Sequence, residues 1–205
     1  MRGRVVSTLH EMSVAAILLA AGASRRLGEP KQLLRFRSEP LLARTIRIAA
    51  EAGTSPVIVV LGAHAEAIAK AIDLGAAVPV VNRHWEQGIA SSVKAGLSAL
   101  EACKVPARGA LLMACDQPHL SAVHLRSLIH TFLEHGAARI VASAYAGISG
   151  TPAIFPPSTY HRLHALEGDK GARSILADSG AEIICVPFER GEIDIDLPAD
   201  LAHLE

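Results

Sequence analysis

The chain of 205 residues is poor in aromatic side chains, with one Trp, two Tyr and four Phe. No cluster of basic and aromatic residues suggests a nucleic-acid-binding face. Net charge is also missing: 20 Lys and Arg balance 20 Asp and Glu, so no global field gathers nucleic acid or an anionic membrane. A small-molecule partner is the remaining expectation. Cysteine is scarce too. Cys103, Cys115 and Cys185 stand far apart among apolar neighbours, without CxxC or Cys/His ligand spacing, and read as reduced core thiols of a cytoplasmic protein. Long hydrophobic runs are lacking: VAAILLAA from Val14 is too short to span a bilayer. Arg2, Arg4 and a small Ala-Gly-Ala imitate a secretory leader, but STLHEMS breaks the pattern with a Glu and a His. Residues 1–12 are expected to form a flexible extension and 13–205 a single domain.

Half of the residues are hydrophobic, enough to bury one sizeable core. Short apolar or β-branched runs recur as VAAILL, PVIVVLG, VPVV, GALLMAC, RIVASA and EIICVPF. Helical patterns separate them, three closing on Gly53, Gly75 and Gly136. Runs that are apolar on both faces suit a mainly parallel sheet covered on both sides. The expected architecture is therefore a Rossmann-like, doubly wound α/β fold, with ligands beyond the carboxyl ends of the strands. From Tyr145 the pattern loosens into AGISGTPAIFPPS, expected to form a lip or small subdomain.

Chemistry-bearing residues gather in the segments after the apolar runs. After the first come Gly22, Ser24, Arg26, Gly28 and Lys31. Glycines let a backbone turn its amides toward an anion, and Arg and Lys neutralise phosphate oxygens, so this loop suits a triphosphate. It matches neither the Walker loop nor the G-x-G-x-x-G dinucleotide fingerprint. CDQPHL puts Asp116 where a lone carboxylate suits Mg2+, which takes one or two carboxylates plus substrate phosphates. GEIDIDLPADL puts Asp194 and Asp196 on one face of an extended segment. Asp196 either completes the metal site or opens the last helix. In NRHWEQGIASSVKAGL, Asn82, Gly88, Ser91 and Ser92 offer small groups that could read a base, or the serines are merely early helical residues. In GDKGARSIL, Asp169 and Arg173 either meet an acceptor or cap and decorate a helix.

The ordered set LAAGASRRLGEPKQLL, LGAH, NRHWEQGIASSVKAGL, CDQP, GTPAIF, GDKGAR and DIDLPADL resembles the molybdopterin nucleotidyltransferase family, in particular molybdenum cofactor cytidylyltransferases, across almost the whole chain. The resemblance implies a nucleotide-diphospho-sugar transferase-like fold. It also implies Mg2+-dependent transfer of a cytidylyl group from CTP to a molybdopterin-type phosphate, with pyrophosphate released and a molybdoenzyme as candidate recipient. By the same resemblance Gly22, Ala23, Ser24, Arg26 and Lys31 hold the triphosphate, with Arg26, Lys31 and Asp116 catalytic and Asp116 and Asp196 on the metal. Ala20 and Ala21, in the double-alanine form, point to cytosine, with Gly62, Asn82, Gly88, Ser91 and Ser92 around the nucleoside. Gly150, Thr151, Pro152, Asp169 and Arg173 fall to the acceptor. Alternatives are GTP or a sugar or polyol phosphate as substrate and, more remotely, NAD(P)H-dependent reduction of a heterocycle.

Overall fold

The computed structural model describes residues 13–103, 105–179 and 183–204; the extension expected over residues 1–12 lies outside them. The described residues begin with β1 (Val14–Ala20), a small hairpin of β2 (Arg35–Phe36) and β3 (Glu39–Pro40), and α1 (Leu41–Glu51). Then follow β4 (Val57–Leu61), α2 (Ala65–Ala71), β5 (Val78–Val81), α3 (Ile89–Ala102), β6 (Gly109–Ala114) and α4 (Ala122–Glu134). The last part holds β7 (Ile140–Tyr145), β8 (Ile148–Phe155), α5 (Tyr160–His164), α6 (Ala172–Ser179) and β9 (Ile183–Pro187). A final 3-10 helix spans Pro198–Leu204.

Seven strands form one sheet in the order β5-β4-β1-β6-β8-β7-β9. All neighbours pair parallel except β8, which runs antiparallel to both β6 and β7. β1 is central and nearly wholly buried because parallel strands are covered on both faces. Its alternate residues enter two cores: Ala16 and Leu18 pack with Leu42, Leu125 and Phe132, whereas Ala15 and Ile17 pack with Val93, Leu97 and Leu112. One face thus carries α1, α2 and α4, and the other α3, α5 and α6. Gly53 and Gly136, both at positive φ, close α1 and α4, and the Ser121 hydroxyl caps α4 by accepting from the His124 amide.

Three expectations change. The segment after Tyr145 is no lip: Ala146 and Gly147, both at positive φ, make a tight turn, and Ile148–Phe155 returns as a strand inside the sheet. A register shift between Ala142 and Ser143 leaves Thr151 and Pro152 outside the ladder, which accommodates a proline that has no N–H to donate. VPVV is an edge strand with Val78 and Val81 exposed, not a run buried on both faces. Of the cysteines only Cys115 is buried, whereas Cys185 is exposed and Cys103 is partly so. Among the described residues no helix is long and apolar enough to cross a membrane.

Strand order decides where a ligand fits. From β1 the chain moves outward through β4 to β5 and then crosses back to β6 on the other side of β1. The connections after β1 and β6 therefore diverge, and a crevice opens at their carboxyl ends.

Candidate functional site

That crevice is a cleft of about 690 Å3. Its floor is the last residue of β1, Ala20, and the segment that follows, Ala21, Gly22, Ala23, Ser24 and Arg26, together with Lys31 and Gln32. Trp85, Gly88, Ile89 and Ser92 form one wall, Asp116 sits at the end of β6, and Asp169 closes another side.

The loop is shaped from within. Gln32 is almost completely buried, and its Nε2 donates to the carbonyls of Ala20 (2.8 Å) and Gly22 (3.1 Å). Ser24 takes a positive φ, its carbonyl accepts from the amides of Leu27 and Gly28, and its hydroxyl accepts from the Lys31 amide at 3.1 Å. A turn tied at both ends presents its cations in one place. The C-terminal segment is drawn in beside it. Ile195 is fully buried with Leu27, Phe36 and Leu41, and its amide donates to the Asp116 carbonyl at 2.9 Å. Asp200 accepts from the amides of Asp196 and Leu197, which sets the turn there.

Lys31 Nζ lies 2.8 Å from Asp116 Oδ2 and 2.6 Å from Asp196 Oδ1, and Arg26 Nη2 lies 2.9 Å from Asp196 Oδ2. The side chains of Lys31 and Asp116 are only 17% and 20% exposed, whereas Arg26 is 68% exposed. Burial alone would lower the Lys31 pKa, but the two carboxylates more than offset it and hold the ammonium above its ordinary value. Burial would likewise raise Asp196, yet the bonds from Lys31 and Arg26 bring it below the usual carboxylate range. Asp194 is raised, first by burial and then by the charges of Asp116 and Asp196. Three carboxylates, Asp116, Asp194 and Asp196, therefore share one region with three cations, Lys31, Arg26 and Arg173. Hard carboxylate oxygens of this kind can hold a divalent cation. Among the described residues no three His, Cys, Asp or Glu side chains form a metal cage by themselves.

The other sequence-derived candidates lie around this centre or turn inward. Gly62 and Asn82 line a neighbouring cavity of about 1050 Å3 that shares Trp85 with the cleft. A Cβ on Gly62 would stand 2.6 Å from the Ala21 carbonyl, so this glycine lets β4 approach the loop. The buried Asn82 amide donates to the Ser91 and Ser92 hydroxyls and its oxygen accepts from the His84 amide, so these groups brace the turn into α3. Gly88 lies against Gly168 and Asp169, where a Cβ would overlap the Gly168 backbone and crowd the Asp169 carboxylate, and the Gly168 carbonyl accepts from Ala90 N. This contact brings the GDKGAR segment to the cleft. The Thr151 carbonyl accepts from Gln117 Nε2 and the Tyr145 hydroxyl, and the Pro152 carbonyl accepts from Ser143. Arg173 Nη2 donates to the Tyr145 hydroxyl at 3.2 Å, and its charge interacts with Asp194 and Asp116.

Sequence reasoning passed over Gln32, placed Asp194 beside Asp196 without giving it a role, and used Tyr145 only to mark where the pattern loosens. Gln32 left a faint signal as an amide flanked by Lys31 and two leucines. Arg25 lies over the Trp85 ring at 5.9 Å and 3.9 Å from the Glu86 carboxylate, an exposed pair that contributes little stability.

A family model described as "MobA-like NTP transferase domain" matches residues 16–183. Nicotine blue oxidoreductase from Paenarthrobacter nicotinovorans is 32% identical over 176 residues, spanning 83% of this chain and 80% of that protein. A "Probable molybdenum cofactor guanylyltransferase" from Opitutus terrae is 31% identical over 144 residues, spanning 70% of this chain and 67% of that one. The solved structure of Rv0371c from Mycobacterium tuberculosis H37Rv is similar with a TM-score of 0.78 and 31% identity, covering 95% of this chain and 98% of that one. The structure of Rv0371c in complex with manganese superposes with a TM-score of 0.73 at 29% identity, covering 94% of this chain and 97% of that one.

Proposed function

The chain belongs to the MobA-like NTP transferase domain family, and from that premise we propose that it transfers a cytidylyl group from CTP to the phosphate of a molybdopterin-type cofactor, using Mg2+ and releasing pyrophosphate. One observation carries the reading: Lys31, Asp116 and Asp196 meet within hydrogen-bond distance at the crevice, beside the glycine-containing loop and Arg26. Anion-neutralising and metal-ligating groups so placed suit phosphoryl chemistry.

An oxygen of the acceptor phosphate attacks the α-phosphorus of CTP in line. The new P–O bond forms as the bond to the α,β-bridging oxygen breaks, and pyrophosphate leaves with that electron pair. No protein nucleophile is required. Arg26, Lys31 and the loop from Gly22 to Ser24 bind and orient the triphosphate; Asn82, Gly88, Ser91 and Ser92 shape the nucleoside side. Gly150, Thr151, Pro152, Asp169 and Arg173 shape the acceptor side. Asp116 and Asp196 would hold Mg2+, and a hard oxygen donor set supports that ion, as does the manganese complex of Rv0371c. Bound there, a divalent ion neutralises charge on the phosphates.

The alanine pair Ala20 and Ala21 supports CTP. A guanylyl group is the second reading, favoured by the Opitutus terrae relative's name. Pyrophosphate release measured with each nucleoside triphosphate, with and without molybdopterin and Mg2+, separates them. The expected result is release with CTP only, requiring both molybdopterin and Mg2+. Preference for GTP would install the second reading, and no release with any triphosphate would overturn both.

A further inference from the structure

The structure carries one residue role beyond these assignments, at the end of β7. The Tyr145 ring is buried edge-on to Phe188, with centroids 6.0 Å apart. Its hydroxyl accepts from Arg173 Nη2 at 3.2 Å and donates to the Thr151 carbonyl at 3.3 Å. With its one proton given to Thr151, the hydroxyl presents a lone pair to the guanidinium. Two glycines make room for this phenol. A Cβ on Gly150 would overlap the hydroxyl, and one on Gly191 would stand 2.7 Å from the Tyr145 ring. Gly150 therefore serves the phenol directly, whatever else it touches.

We propose that Tyr145 is a positioning residue whose hydroxyl, braced by Thr151, holds the Arg173 guanidinium open toward the acceptor phosphate. The inference rests on the reading above that Arg173 meets the acceptor. Arg173 opens α6, whose apolar side is anchored by Ile175 and Leu176 in the core, so its backbone is fixed while its long side chain is not. The carboxylates of Asp194 and Asp116 interact with its charge. A guanidinium freed from the hydroxyl would settle onto them, leaving less positive charge for an incoming phosphate.

Tyr145→Phe keeps the ring and removes the oxygen. The expected result is a KM for molybdopterin raised roughly tenfold, as for loss of one hydrogen bond to a charged group, with the KM for CTP and the Tm unchanged. Arg173→Ala should raise the same KM, and Tyr145→Phe added to Arg173→Ala should cost nothing further. Additive effects, or an unchanged KM in Tyr145→Phe, overturn the proposal. A second readout needs no turnover: the Arg173 side-chain N–H signals in 15N NMR of the free protein, assigned with Arg173→Lys. They should be resolved in the wild type and broadened in Tyr145→Phe. Identical signals overturn the positioning role even if the wild type releases no pyrophosphate, an outcome that would instead overturn the proposed function.

Discussion

Lys31 ends its side chain between two carboxylates from distant parts of the sequence, and each partner changes what the others can do. The ammonium stays protonated throughout the working range because Asp116 and Asp196 outweigh its burial. Asp196, bonded to both Lys31 and Arg26, resists protonation, whereas Asp194, half-buried and facing two like charges, takes a proton more readily than an ordinary carboxylate. Asp116 is the carboxylate that joins the end of β6 to the cation. Asp116→Asn keeps the shape and removes the charge, so turnover should fall by about a hundredfold or more. The Tm should scarcely move, because Lys31 keeps Asp196. Steady-state kinetics beside a thermal melt checks this, and near-wild-type turnover would remove Asp116 from the reaction.

The loop after β1 poses a question about two glycines. Gly22 has nothing within 4 Å of a Cβ position, whereas Gly62 faces the Ala21 carbonyl at 2.6 Å and the Cβ atoms of Ala21 and Trp85 at 2.8 Å. Gly62→Ala should therefore displace backbone at the foot of the loop, costing about 1–3 kcal/mol of stability and weakening CTP binding with it. Gly22→Ala should fold with an unchanged Tm yet raise the KM for CTP, because in the proposed function the triphosphate packs against that bare backbone. Denaturant titration and CTP kinetics on both variants separate the two roles. An unchanged KM in Gly22→Ala would take Gly22 out of the triphosphate site.

Across the whole molecule, His124 ties α4 to the β7–β8 hairpin. Its ring stacks on Phe188 with centroids 4.3 Å apart, and its Nε2 lies 2.8 Å from Ser143 Oγ. Because that hydroxyl donates to the Pro152 carbonyl, the ring nitrogen is the donor. Burial pushes the His124 pKa down to about 4. The unfolded chain binds this proton near the ordinary value of about 6.5, so the folded state binds fewer protons between the two values. Stability is then full above the upper value and falls as pH drops toward the lower one, by about 3 kcal/mol at most. Thermal melts from neutral pH to pH 4 should show the wild type losing more stability than His124→Gln, which keeps a donor near the same place. Parallel curves would assign the acid sensitivity elsewhere.

Much of this protein is local in origin and therefore legible in one dimension. The apolar runs of β1, β4 and β6 and the glycine-closed helices α1 and α4 follow from hydrophobic periodicity and turn chemistry. The same is true of the placement of Lys31 and Asp116 in the segments that follow strands. Tertiary structure decided what depends on distant partners. It placed β8 antiparallel between β6 and β7, where a run rich in Gly and Pro carries little strand signal but gains two neighbours, and it left β5 at an exposed edge. It also turned the Asn82 amide onto Ser91 and Ser92, and brought Tyr145 to Arg173. Lys31 meets Asp116 and Asp196 only because Ile195, with no charge of its own, is buried beside the loop and carries the C-terminal carboxylates to it. The free energy of that contact comes from apolar burial and paired charge between segments far apart in the chain, which no local pattern encodes.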